Sequence, residues 1–184
     1  AKGQEASYEL EFDHSKLPHP LDQNQGAIRM SGNNHSDDLF MFIKKKITNL
    51  TPNKEYTASF EIEFATNAPE NSIGVGGSPA HSVYIQAGIT QQEPKNILDT
   101  SDDFYRMNID KANQASEGKD TKNLGDFSNG TKESIYKLKT LTYTNNKIKA
   151  TTDSNGILWI IIGTDSGFEA TTTIYYNKIN IELV

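Results

Sequence analysis

The run EYTASFEIEFA, residues 55–65, changes side at every residue. Tyr56, Ala58, Phe60, Ile62 and Phe64 share one face, and Thr57, Ser59, Glu61 and Glu63 share the other. A period of two is the signature of a pleated strand with one buried face; a helix would scatter these apolar groups around its circumference. The same alternation predicts strands in SYELEF, with Tyr8, Leu10 and Phe12 inward, and in HSVYIQAGIT, with Val83, Ile85, Ala87 and Ile89 inward. It recurs less cleanly in ESIYKLKTLTY. In TTIYYNKINIELV it places Tyr175, Ile179, Ile181 and Leu183 on one side, with Asn177 interrupting. No window of helical length carries an apolar stripe.

Turn chemistry separates these runs. Thr51-Pro52-Asn53 starts a turn, and TDSNG before ILWIII is a hairpin signal. The expectation is eight to ten strands in an all-β, two-sheet antiparallel β-sandwich, one domain over residues 1–184. Trp159 shares parity with Ile157 and Ile161 and is expected in the core. Two segments do not read as strands. Residues 66–81 are rich in Gly, Pro and Asn, and residues 91–131 hold only scattered apolar positions. Loops of that length are expected to wall a functional site.

Charge and composition exclude several functions. The net charge is −6, and the tight basic run is Lys44–Lys46, which reads as a strand end reaching into water. A nucleic-acid partner is therefore not expected. The absence of cysteine removes disulfides, thiolate metal sites and cysteine nucleophiles. The longest purely apolar run, residues 157–162, is far shorter than the roughly 20 residues a spanning helix needs.

At ITNLTPNKEYTASFEIEFA, and again at IYYNKINIEL, the chain resembles jelly-roll carbohydrate-binding modules and galactose-binding-like domains. Asn177 stands where those families often place a calcium-holding Asp. SGNNHSDDLFMF, GVGGSP, FYRMNIDKANQ and GTDSGFEATTTIYY are similar to a group of exported, lipoprotein-like bacterial proteins. The resemblance implies an extracellular or cell-surface protein with a lipid-tethered precursor, and no chemistry.

Candidate sites follow from residue type. GGSPA near His81 resembles a nucleophile elbow, but the residue after the serine is Pro79, which has no N–H for an oxyanion hole. Glu61 and Glu63 have Cα atoms about 6.6 Å apart on one strand, at about 3.3 Å per residue. Acids that cleave a glycosidic bond must flank it, so this pair reads as a solvated sheet face. Asn108, Asp110, Asn113 and Asp120 offer oxygens to a structural calcium, without EF-hand spacing. The cluster Asn33, Asn34, His35, Asp37 and Asp38 is expected to organise the edge of a site, with Asp37 or Asp38 bonding backbone N–H groups of the GTDSGFE loop. Tyr84, Gln86, Tyr105, Arg106, Asp165 and Ser166 are the expected ligand contacts, since a sugar is read by an aromatic face and planar polar groups. The expected function is a non-catalytic binding module for carbohydrate or another polar surface ligand. The alternatives are an adhesion-type protein with a protein partner and, less expected, a hydrolase. Oligomeric state is not legible at this level.

Overall fold

A computed structural model describes residues 1–35, 38–111 and 113–184, with Asn146 described by its backbone. The chain opens with a short 3-10 turn, Glu5–Tyr8, and continues as strands. These are β1 (Glu11–Lys16), β2 (Gly26–Asn33), β3 (Leu39–Ile47), β4 (Glu55–Thr66), β5 (Val83–Thr90), β6 (Asn96–Asp99), β7 (Phe104–Met107), β8 (Thr121–Asp126), β9 (Lys137–Thr151), β10 (Leu158–Ser166) and β11 (Thr171–Leu183). No helix among the described residues is long and apolar enough to cross a membrane.

Two antiparallel sheets carry the fold. One has the order β1-β2-β11-β4-β9, the other β3-β10-β5-β8, and β6 and β7 form a separate hairpin. From β2 to β5 successive strands switch sheets, and β8 to β11 return alternately between them. That winding is the jelly roll. The core lies between the sheets and contains Phe60, Ile62 and Phe64 from β4, Val83, Ile85 and Ile89 from β5, and Leu158, Ile160 and Ile162 from β10.

The alternation in β4 and β5 places its apolar side inward as expected. Elsewhere the strands depart from the simple pattern. In β10 the core parity belongs to Leu158, Ile160 and Ile162. Trp159 faces outward, with Lys44 and Lys46 Nζ at 5.7 and 6.0 Å from its ring, and is not the core residue expected. In β11 a bulge between Tyr176 and Lys178 switches the inward parity, from Ile174 and Tyr176 to Ile179, Ile181 and Leu183. Tyr175 therefore faces the opposite side and packs edge-on against Tyr136. Segment 91–131 is not wholly loop: it supplies the β6–β7 hairpin and β8, a full member of the four-stranded sheet.

The unequal sheets matter most. Phe12 pairs with Met30 and His14 with Ile28, so their side chains point toward the sandwich interior. The opposite sheet ends at β3, so β1 overhangs it. Leu10 and Phe12 remain 61% and 60% exposed on a face built to be buried.

Candidate binding groove

A groove of about 940 Å3 runs along that overhang. Leu10 and Phe12 form one wall. The floor is Asp38 and the first half of β3, Leu39–Phe42, which is an edge strand. The other wall is the hairpin side, Phe104–Met107, continuing into Ile109–Lys111 and Asn113. Glu5 and Tyr8 of the 3-10 turn close one end.

Aromatic rings dominate the surface. Phe40 and Phe42 lie two apart on the outer face of β3, with ring centroids 5.7 Å apart and planes within 16°. Gly163 of β10 makes this possible. A Cβ there would stand 2.6 Å from the Phe40 ring and 2.6 Å from Met41 O. Phe104 and Tyr105 are 47% and 40% exposed on the opposite wall. Tyr105 donates its hydroxyl to Glu5 Oε1 at 3.0 Å, and Lys2 N bonds Asp103 O at 2.7 Å. These two bonds tie the N-terminal segment to the hairpin. Glu5's carboxyl sits below its usual range because its own backbone N–H and the Tyr105 hydroxyl both favour its charge. Arg106 is bidentate on Asp102 at 2.8 and 2.5 Å and also reaches Asp99 at 3.1 Å. The guanidinium holds Asp102 down to about 2.

Under the groove's far end lies a buried ion pair. Asp165 is fully buried, and its Oδ2 accepts Lys111 Nζ at 2.7 Å, Gln114 N at 2.7 Å and Gln86 Nε2 at 3.1 Å. Gln86 completes the network, accepting the Thr121 hydroxyl at Oε1 and donating to Gln114 O. The network pins the connection after β7 onto the outer face of the four-stranded sheet. It also sets Lys111 Nζ 4.8 Å from the centre of the Phe40 ring.

The expected contacts thus divide. Tyr105 and Arg106 line the groove, together with Asp38, Asp110 and Asn113. Gln86, Asp165 and Ser166 are buried and bond within the protein, Asp165 through its Oδ2. Gln86 is on the outer face, as its parity implied, but the pinned segment covers it. Tyr84 is half-buried on the same face, between Asp126 and Asp165 in register.

The SGNNHSDDLF and GTDSGFE loops meet, but the bridge is Asn34. Its side-chain amide donates to Ser166 O at 2.9 Å and Phe168 O at 3.1 Å, and its backbone N–H to Ala170 O at 3.2 Å. Asn33 pairs with Thr171, and His35 Nε2 lies 3.0 Å from Ser7 O. Asp37 lies outside the described residues, and Asp38 lines the groove.

The four expected calcium ligands sit in hydrogen-bonded turns. Asn108 Oδ1 accepts Lys95 N and its Nδ2 donates to Glu93 O. Asp110 accepts Lys119 N, Asp120 accepts Asp110 N, and Asn113 bonds Ser116 through its backbone. Among the described residues no group of three or more His, Cys, Asp or Glu side chains could hold a metal.

Two further sequence features resolve. Ser78 Oγ accepts Ala80 N at 3.1 Å and His81 N at 3.3 Å, while the His81 ring contacts Asp126 Oδ2 at 2.7 Å and Glu70 O at 3.0 Å. Hydroxyl and imidazole are each engaged elsewhere, so they do not form a nucleophile–base pair. Glu61 accepts Asn180 Nδ2 at 2.9 Å, and Glu63 pairs with Lys178 at 3.3 Å on the outer face of the five-stranded sheet.

No protein-family model matches the sequence, and no curated protein matches it. Solved structures similar in fold include a family 16 carbohydrate-binding module (10% identity, TM-score 0.38, covering 99% of this chain and 97% of that one). Another is the module CBM28, described as specific for non-crystalline cellulose (9%, 0.39, 94% and 79%). A third is the enzymatically active domain of tailspike protein 4 of bacteriophage CBA120 (10%, 0.39), where 95% of this chain spans 18% of the other. The sandwich itself is read from the strand order above.

Proposed function

We propose that the protein is a non-catalytic binding module and that the β1–β3 groove holds an extended carbohydrate. One observation carries the reading: an open groove with exposed rings on opposite walls, Phe12 on one and Phe104 and Tyr105 on the other, over the Phe40–Phe42 pair. A sugar ring presents apolar C–H faces and a rim of hydroxyls. Aromatic faces cover the first, and carboxylates, guanidinium and amide groups on the rim bond the second. The volume suits a ligand of several rings and lies within the range of ligand sites generally. The exported setting implied by the sequence resemblance belongs to the same proposal.

The test is a glycan array followed by titration of the best hit. Phe12→Ala and Phe104→Ala remove exposed rings, so folding should survive. Each is expected to weaken binding about tenfold, the loss of one ring contact of roughly 1.4 kcal/mol. Binding by both variants at wild-type strength would place the ligand elsewhere.

A second reading has its own observation. The floor of the groove is an edge strand, whose free backbone groups could pair with an extended peptide. Lys44–Lys46 follow on the same strand, and lysines on an edge oppose such pairing. Peptide probes beside the glycans separate the two.

A further inference from the structure

The glycan reading leaves open which sugars the groove selects, and its aliphatic floor bears on that. Met30, Leu39 and Met41 line the groove, yet they are buried and belong to the sandwich core. The groove therefore opens onto the core itself, where β1 has no strand opposite. Gly32 of β2 marks the place. A Cβ there would stand 2.7 Å from Met41 Sδ, 2.9 Å from Leu10 Cδ2 and 3.0 Å from Leu39 Cδ2. Three aliphatic side chains thus converge on one spot, and Leu10 among them is largely exposed. Met107 and Ile109 add aliphatic surface from the hairpin side. A sugar hydroxyl set against such a surface would lose water without gaining a partner. A methyl group would gain, and thioethers adapt their shape to it.

A second observation supplies a polar partner beside aliphatic surface. Asn96 opens β6 and pairs across the hairpin with Met107, so the two side chains are neighbours on one face. Both line the groove, and Asn96 is exposed. A planar amide can donate through its NH2 and accept at its oxygen. Set next to a thioether, it matches a small group with an amide at one end and a methyl at the other. The acetamido group has that form.

Resting on the carbohydrate reading, we propose that the groove prefers glycans built from N-acetylated amino sugars. The sugar faces lie on the rings of Phe12, Phe104 and Tyr105. The acetamido amide meets Asn96, and its methyl lies on the aliphatic surface of Met107 and Leu10. A bare hydroxyl or an ammonium in the same place would be held against carbon.

The experiment titrates three β-linked hexamers of one linkage: N-acetylglucosamine, glucose and glucosamine. The expected result is about tenfold tighter binding of the acetylated hexamer than of the other two, from one methyl removed from water and one amide hydrogen bond. Added salt should leave its lead over glucose unchanged, because both hexamers are neutral. Asn96→Ala and Leu10→Ser alter exposed side chains, so folding should survive. Each should cut the lead about threefold while leaving the glucose hexamer within about twofold of wild type. A merely structural role would instead weaken all three hexamers alike. Equal or tighter binding of the glucose or glucosamine hexamer overturns this inference and leaves the carbohydrate reading standing. A lead that neither variant reduces does the same. Binding of none of the three also overturns this inference, and the carbohydrate reading falls with it only if the glycan array is blank as well.

Discussion

Single residues decide how the loops are held. Asn34 joins two loops because one planar amide can donate to two carbonyls at once, that of Ser166 at the end of β10 and that of Phe168 in the loop after it. The cluster was legible in the sequence as a loop organiser. Which of its five polar residues bridges was not, since that depends on the position of a partner loop more than 130 residues away. His81 shows a second local device. Its imidazole pKa is raised above the usual 6.5, first by the hydrogen bond to Asp126 and further by Glu70 O, with partial burial opposing. Asp126 in turn also holds Lys139, at 2.5 Å. A raised histidine stabilises the fold below its unfolded-state pKa, and that contribution disappears as pH rises through the folded-state value. The side chain is about half exposed, so the effect is small. Urea midpoints of wild type and His81→Gln should differ most near roughly pH 5 and converge above roughly pH 8. A difference that grows with pH would contradict the assignment.

At the scale of elements, the decisive piece is the connection between β7 and β8. In the sequence it is poor in apolar residues and reads as loop, because its stability comes from polar bonds to a sheet face. Gln86 and Asp165 misled for the same reason. Their parity puts them on the outer face, and parity carries no information about what covers that face. Only the ion pair with Lys111 does. Removing one partner of a buried pair leaves the other charge uncompensated, at about 3–5 kcal/mol. Asp165→Ala should therefore cost about that much in denaturant unfolding and should also weaken glycan binding, since Lys111 loses its place on Phe40. Adding Lys111→Met should restore part of the stability, because the stranded charge is gone. A loss below about 1 kcal/mol in the single variant would show that the pair does not hold the segment. The basic run Lys44–Lys46 has a plain role at this scale. It occupies the exposed half of an edge strand and opposes unwanted strand pairing.

At the scale of the whole molecule, the sandwich was legible because antiparallel strands with one dry face write their period into the chain. β4 and β5 follow it without exception on the inward side. β11 follows it only in two halves, because its bulge resets the parity at Asn177. The groove was not legible. SYELEF is patterned for a core, but it is not one strand: Tyr8 ends the 3-10 turn and Leu10 precedes β1, while Phe12 does point inward, where the sheet opposite is one strand narrower. A mismatch in strand number between two sheets is a property of topology, and no local window contains it. That mismatch turns core-type residues into a site. Where the ligand sits decides the function of the groove, and backbone chemical-shift mapping with the tightest-binding glycan of the array measures this directly. The predicted shifts fall on Leu10, Phe12, Phe40, Phe42, Phe104 and Tyr105. Shifts centred instead on Glu61, Thr142 and Asn180, across the outer face of the five-stranded sheet, would contradict it.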